Sequence, residues 1–215
     1  MEKDLGHYRK SYEQGELLLK DTPENPIELF QKWFHEVDHF FPKDETNAMT
    51  ISTIGVDGFP KSRVVLLKKY TFEGFIFYTN YLSEKGKAIT DNPNVCLSFF
   101  WAGAERQVII KGKAKKIAAN LSDGYFESRP KGSQLGAIAS NQSQPIENRE
   151  LLEAKLKSLE TTYQNKEIER PEFWGGFIIE PISIEFWQGR PNRLHDRILY
   201  KLDSEFNWIK TRLQP

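Results

Sequence analysis

The chain has 215 residues, enough for one large domain or two small ones, and its 39% hydrophobic and 13% aromatic content suits a substantial core. Lys+Arg and Asp+Glu both number 30, so no global field favours nucleic acid or an anionic membrane, and any anion site must come from local clusters. The single cysteine, Cys96, excludes an intrachain disulfide and a cysteine-rich metal site.

Residues 1–22 are polar and charged without clear periodicity, and within them Arg9-Lys10-Ser11-Tyr12 reads as a flexible tail or as a flap able to close on an anionic ligand. Met1–Lys20 lacks the apolar core of a signal peptide and no apolar run reaches the length of a membrane span, so the chain reads as soluble and cytoplasmic. Residues 23–215 read as a single domain. Asn25 followed by Pro26 is a helix start, and Ile27, Phe30, Trp33, Phe34, Val37 and Phe41 follow at helical spacing. His35 and His39 lie four apart on that helix, but no third ligand is near and a solvated polar face is the simpler reading.

From Ala48 to Ile117 short strands alternate with turn signals. Met49–Ile54 leads into Gly55-Val56-Asp57-Gly58, Ser62–Lys68 returns, and Phe75–Thr79, Val95–Trp101 and Gln107–Ile117 continue the series. Ser83–Asp91 is a short helix capped by Ser83. Such spacing predicts a mainly β, α+β chain built on a small antiparallel barrel or sandwich, not a parallel βαβ sheet. No GxGxxG or GxxxxGK[ST] is present, so neither dinucleotide nor P-loop site is indicated. Helices are expected at Asn120–Ser128 and Glu147–Tyr163. Strands resume at Trp174–Ile179, Ile182–Trp187, Leu194–Tyr200 and Trp208–Leu213 and complete the barrel.

Three clusters carry candidate chemistry. Arg63 and Lys68 bracket one strand, and Tyr78-Thr79, Ser83, Lys85 and Arg106-Gln107 follow; a phosphate wants such hydroxyls and cations, but spacing alone does not prove convergence and ordinary surface charge at strand ends is the simpler reading. Tyr125 and Arg129 lie four apart with Ser133 just beyond Pro130, either a second phosphate site or a packed tyrosine beside a solvated arginine. Finally, in FWQGRPNRLHDRILY (Phe186–Tyr200), an extended backbone would put Arg193, His195 and Arg197 on one strand face. Such a face is either a solvated edge or an anion site beside the Trp187 wall.

A resemblance bears on these alternatives. RVVLLK (Arg63–Lys68), FYTN, ERQV, YFESRPKGSQLGA, SNQSQPI, FWGGF, IEFWQG and RLHDR stand in this order, and together they resemble the pyridoxine/pyridoxamine 5′-phosphate oxidase family from about Pro26 onwards. The resemblance implies an antiparallel FMN-binding split β-barrel and a homodimer with FMN in clefts between subunits. It also implies oxidation of pyridoxamine or pyridoxine 5′-phosphate to pyridoxal 5′-phosphate, with a hydride passing from C4′ to the flavin and O2 reduced to H2O2. Carried over by position, it assigns FMN contacts to Arg63, Val64, Val65, Leu66, Leu67 and Lys68, to Tyr78, Thr79 and Lys85, and to Gln107, Gln142, Ser143, Trp187 and Arg197. Substrate contacts map to Lys68, Tyr125, Arg129, Ser133, Arg193, Leu194 and His195, with Arg193 and His195 as the catalytic pair. One departure stands out: Glu84 occupies a position where the family often carries Arg. Either Glu84 points away from the FMN phosphate or the remaining cations hold that phosphate alone. Within the fold the rival reading is a flavin oxidoreductase with another substrate; from another class, it is a non-catalytic carrier of FMN or pyridoxal phosphate.

Overall fold

The computed structural model describes residues 3–41 and 45–215; Met1 and Glu2 of the N-terminal segment lie outside them. The helices are α1 (Pro26–Phe40), α2 (Glu84–Asp91), α3 (Ala119–Glu127), α4 (Lys131–Ala139) and α5 (Arg149–Thr162). The strands are β1 (Ala48–Ile54), β2 (Pro60–Leu66), β3 (Lys69–Thr71), β4 (Gly74–Asn80), β5 (Asn94–Trp101), β6 (Arg106–Lys116), β7 (Trp174–Gln188), β8 (Asp196–Leu202) and β9 (Trp208–Leu213). They join in the order β2-β1-β5-β6-β7-β4-β3, with β8 added to β7 and β9 to β8. The β3–β4, β4–β7, β7–β8 and β8–β9 ladders are all antiparallel. Among the described residues no helix is long and apolar enough to cross a membrane.

Local chemistry sets the element ends. Asn25 Oδ1 accepts from the Ile27 N–H at 2.9 Å, and Ser83 Oγ accepts from Gly86 N–H at 3.2 Å, so both predicted caps form. Between β1 and β2, Gly55 N–H donates to Phe59 O at 2.9 Å, and Gly58 takes φ +80°, a conformation that favours glycine.

The chain divides into two compact units. One comprises the residues up to Thr50, Leu97–Lys111 and Ile182–Pro215; the other comprises Ile51–Cys96 and Gly112–Pro181. In the first, α1 buries Ile27, Leu29, Phe30, Trp33 and Val37, with Phe30 5.2 Å from Phe99 and Trp33 5.2 Å from Phe186 between ring centroids. Phe30 is fully buried, so Phe30→Ala would cost about 3–5 kcal/mol. In the second unit, Phe126, Leu135, Ile168 and Trp174 form a core that Leu156, Leu159 and Tyr163 of the α5 side cover.

Four expectations are corrected. Ile182–Trp187 and Trp174–Ile179 are one strand, because Pro181 falls between the residues paired with β4 (Trp174–Ile179) and those paired with β8 (Ser183–Gln188), where neither ladder needs its missing N–H. Lys131–Ala139 is a helix that the chain's pattern did not announce, since Gly132 and Gly136 dilute its periodicity. The strand expected over Ser62–Lys68 ends at Leu66, and the short β3 follows. Lastly, β8 begins at Asp196, not Leu194, because Pro191–Arg193 form a 3₁₀ turn in which Asn192 and Arg193 have φ +57° and +61°. Arg193 and His195 therefore precede the strand, and the single face expected for Arg193, His195 and Arg197 does not exist.

Candidate active site

Ser83 fixes the start of α2 doubly, since its hydroxyl also donates to Asn80 O at 2.6 Å. This end of the helix carries Lys85 into the second unit, where Nζ donates to Thr79 Oγ1 at 3.1 Å and to Gln142 Oε1 at 3.0 Å. Burial, then the Arg63 charge, push the Lys85 pKa down to about 8, with Glu84 opposing. These groups line a cavity of about 670 Å³. From β2 it receives Arg63, Val64, Val65 and Leu66, followed by Lys68; Leu67 is buried in the core and does not line it.

The opposite wall comes from the helices. Tyr125, Arg129 and Ser133 all line the same cavity, so the second cluster read from the sequence meets Arg63, Lys68, Tyr78, Thr79 and Lys85 of the first, whereas Arg106 pairs with Glu36 at 2.6 Å elsewhere. Tyr78 and Tyr125 stack at 3.9 Å between centroids, and the Arg129 guanidinium lies 4.6 Å over the Trp174 ring. Burial lowers the Arg129 pKa, with Tyr125 opposing, and raises that of Tyr78. Trp174 was quoted from the sequence only within a motif; the signal for its place is the adjacent Gly175, where a Cβ would overlap the Tyr81 hydroxyl.

Two donors in this cavity have no acceptor. Arg63 Nε and Arg129 NH1 are buried without a hydrogen-bond partner. A buried cationic donor left unpaired is costly, typically about 1–3 kcal/mol or more, and a phosphate's several oxygens are the acceptors that relieve it. The cavity thus fits phosphate groups, such as that of FMN, on the chemistry of its own donors. Glu84 does not line it. Its carboxylate takes Lys61 Nζ at 2.6 Å and Arg63 NH2 at 3.4 Å on the surface, and the Lys61 hydrogen bond leads the causes that lower its pKa.

The first unit holds a second cavity, of about 740 Å³, lined by residues 8–12, Trp187, Arg190, Asn192, Arg193 and His195. The His195 ring lies 4.6 Å from Trp187, and Tyr12 sits edge-on to both at 5.6 and 5.7 Å. His195 Nδ1 accepts from the Arg190 N–H at 3.0 Å, so the neutral ring carries its proton on Nε2. Burial, then Arg193, lower the His195 pKa against the opposing charge of Asp196, which favours that neutral form at pH 7. Arg190, not among the residues predicted for the site, also donates to Gly15 O at 2.9 Å.

The remaining predicted residues line neither cavity. Leu194 is exposed, and Ser143 has φ +71° beside Gln142. Gln107 Nε2 donates to Ser98 Oγ at 3.3 Å. Arg197 stands opposite Trp187 in the β7–β8 ladder, on the same face, but Nε is committed to Glu185 at 2.8 Å and NH1 to Gln214 O at 2.9 Å. Glu185 raises the Arg197 pKa further.

Known proteins bear on this arrangement. A family model described as pyridoxamine 5′-phosphate oxidase matches residues 35–163, and one described as the pyridoxine 5′-phosphate oxidase C-terminal dimerisation region matches residues 174–215. The pyridoxine/pyridoxamine 5′-phosphate oxidase of Flavobacterium psychrophilum is 68% identical over 99% of this chain and 100% of its own length. That of Christiangramia forsetii is 53% identical over 100% of both. Among solved structures, PhzG of Burkholderia lata in complex with tetrahydrophenazine-1-carboxylic acid superposes with a TM-score of 0.85 at 29% identity, covering 93% of this chain and 98% of that one. A pyridoxamine 5′-phosphate oxidase-related, FMN binding protein of Nostoc punctiforme gives 0.69 at 14% identity, covering 86% and 96%, which bears on the fold alone. These superpositions show the fold, and with full-length identities of this size the chain belongs to the pyridoxine/pyridoxamine 5′-phosphate oxidase family.

Proposed function

We infer that this chain is an FMN-dependent oxidase that converts pyridoxamine and pyridoxine 5′-phosphate to pyridoxal 5′-phosphate, acting as a cytoplasmic homodimer with FMN in clefts between subunits. The observation that carries the reading is the pair of buried, unpaired guanidinium donors, Arg63 Nε and Arg129 NH1, in one cavity with Lys85. A simple carrier of one phosphate would need one such set; two sets fit a cofactor and a substrate.

Arg63, Lys85, Thr79 and Gln142 hold the cofactor phosphate, while Tyr125, Arg129 and Ser133, with Lys68, hold the substrate phosphate. FMN held there would supply the redox chemistry, a two-electron hydride acceptor for the substrate's C4′ that O2 reoxidises with release of H2O2. The chain's own task is orientation and charge. Arg193 clamps the pyridine ring from its left-handed turn. His195, neutral with its proton on Nε2, donates to the ring substituents and stays in place through the bond from Arg190. Trp187 and Tyr12 exclude water around them. Arg197, anchored by Glu185, presents positive charge on the Trp187 face and favours the negative charge of a reduced flavin.

The test is an anaerobic absorption spectrum of the purified protein with and without pyridoxamine 5′-phosphate. Yellow protein with about one FMN per chain, bleached by this substrate, is expected. A colourless protein that cannot be reconstituted with FMN, or a flavoprotein that this substrate leaves oxidised, would overturn the assignment.

A further inference from the structure

Glu105 occupies a position its residue type disfavours. It closes the turn between β5 and β6, donating its N–H to Ala102 O at 3.4 Å, with φ +55°. A hairpin of this kind favours glycine or asparagine in the left-handed position, and a glutamate there is strained. Its side chain is also only 2% exposed, where an unpaired carboxylate is not tolerated. A residue that breaks both rules is held for what its side chain does.

That side chain binds the N-terminal segment. Oε2 accepts from the N–H groups of Glu13 at 2.6 Å and Gln14 at 3.0 Å, and Oε1 pairs with Lys10 Nζ at 3.2 Å. Burial works to raise its pKa, but these partners outweigh it and keep the carboxylate charged. The backbone of the same residue ties down the other side of the cavity, since Glu105 O accepts from Gly189 N–H at 2.8 Å and from Gln188 Nε2 at 3.2 Å. Tyr12 lies between these two sets of bonds. A Cβ at Gly189 would come within 2.7 Å of Tyr12 Cγ, so the ring is laid directly on the backbone that follows Trp187.

We propose that Glu105 is a positioning residue for this enzyme: its carboxylate latches residues 10–14 so that Tyr12 roofs Trp187 and His195. The latch acts on substrate through Tyr12 and does not touch the reacting atoms. Its effect on substrate rests on the function proposed above, whereas its hold on the segment does not.

The test uses the full-length, FMN-loaded protein and two variants. Glu105→Gly removes the carboxylate while giving the turn the residue it prefers, so the hairpin persists and the thermal midpoint stays near that of the parent protein. Lys10→Met breaks the ion pair from its exposed end, together with the contact of Lys10 Nζ over the Tyr12 ring at 5.7 Å, and does not endanger folding. Trypsin cleavage after Arg9 is expected to accelerate about tenfold in Glu105→Gly and about threefold in Lys10→Met. The KM for pyridoxamine 5′-phosphate should rise in the same order, with bound flavin per chain unchanged. Parental cleavage rates and KM in both variants would overturn the proposal, leaving Glu105 as a turn residue only. If the parent protein does not turn over this substrate, the functional assignment fails, and the cleavage rates alone still decide the latch.

Discussion

The two cavities are built on opposite principles. In the second unit, Lys85, Thr79 and Gln142 are bonded to one another, and the cations of the cavity stand on or beside regular elements: buried Lys85 on α2, half-buried Arg63 on β2, and half-buried Arg129 just past α3. In the first unit, Arg193 and Asn192 sit on two consecutive residues of positive φ, and one wall is a segment near the N-terminus held by a few hydrogen bonds. A rigid cradle of unsatisfied donors favours tight retention of an anion. A strained turn under a latched segment favours orientation of a ring that must enter and leave. Under the proposed function, substitutions in the first cavity should read out in affinity and those in the second in turnover.

The largest effect expected is for Arg193→Ala, which removes the ring clamp. kcat/KM should fall by about 10³-fold or more while FMN affinity and the flavin spectrum are unchanged, as expected for lost orientation and charge. His195→Ala should lose less, since the clamp remains. Single-turnover flavin bleaching under anaerobic conditions measures both, and parental bleaching rates in Arg193→Ala would remove this cavity from the chemistry.

The converse is expected of Lys85→Met. Losing a buried, charge-assisted contact to a phosphate should weaken FMN binding about 100-fold, near 3 kcal/mol. At saturating FMN the reconstituted enzyme should turn over at close to the parental kcat. A fall in kcat as large as the fall in affinity would collapse the distinction between the cavities.

The contrast also explains what the sequence revealed. Strand alternation, the Asn25 and Ser83 caps and the Gly58 turn are local signals, and each element they announced is present. The phosphate cluster was legible as a set of residue types, but its convergence was not. The burial that pushes Lys85 down and strands Arg63 Nε arises from long-range packing of α2, β2 and β4. In the second cavity, extrapolating period-two alternation through Arg193 failed because Asn192, a residue tolerant of positive φ, is followed by an arginine that is not. Glu105 stood out in the sequence only as the first residue of ERQV, and nothing in WAGAER says which residue of the turn becomes left-handed.

Solution pH gives a smaller but signed effect on the first cavity. Lys85 titrates near 8 in the free site, so it is mostly charged at pH 7 and mostly neutral at pH 9. A phosphate dianion favours the charged form, so binding requires proton uptake as pH rises past 8. The FMN dissociation constant should increase up to about tenfold between pH 7 and 9, and Lys85→Met should abolish that dependence. Fluorescence titration of apoprotein with FMN across this range measures it; a flat profile would mean that Lys85 stays charged without the ligand.

The smallest effect is expected at Glu84, and it measures how closed the cradle is. An acid at this position would oppose a cofactor phosphate if it faced the cavity, but its nearest partner is Lys61 at 2.6 Å, and it reaches only the NH2 edge of Arg63, at 3.4 Å. The carboxylate is solvent-exposed and already neutralised, so its repulsion of the phosphate is weak and screened. Glu84→Gln should release the Arg63 edge and tighten FMN binding only about two- to threefold. Glu84→Arg is expected to give little more, because it sets a third cation beside Lys61 and Arg63, and their mutual repulsion offsets the attraction for the phosphate. Salt separates the two contributions: the Glu84→Gln gain should vanish by 0.5 M NaCl, where exposed charges are screened, while the parental affinity from half-buried Arg63 and buried Lys85 largely persists. A tenfold gain in Glu84→Arg that survives high salt would show that residue 84 faces the phosphate directly, and that the cradle extends one residue further toward the start of α2 than its lining residues indicate.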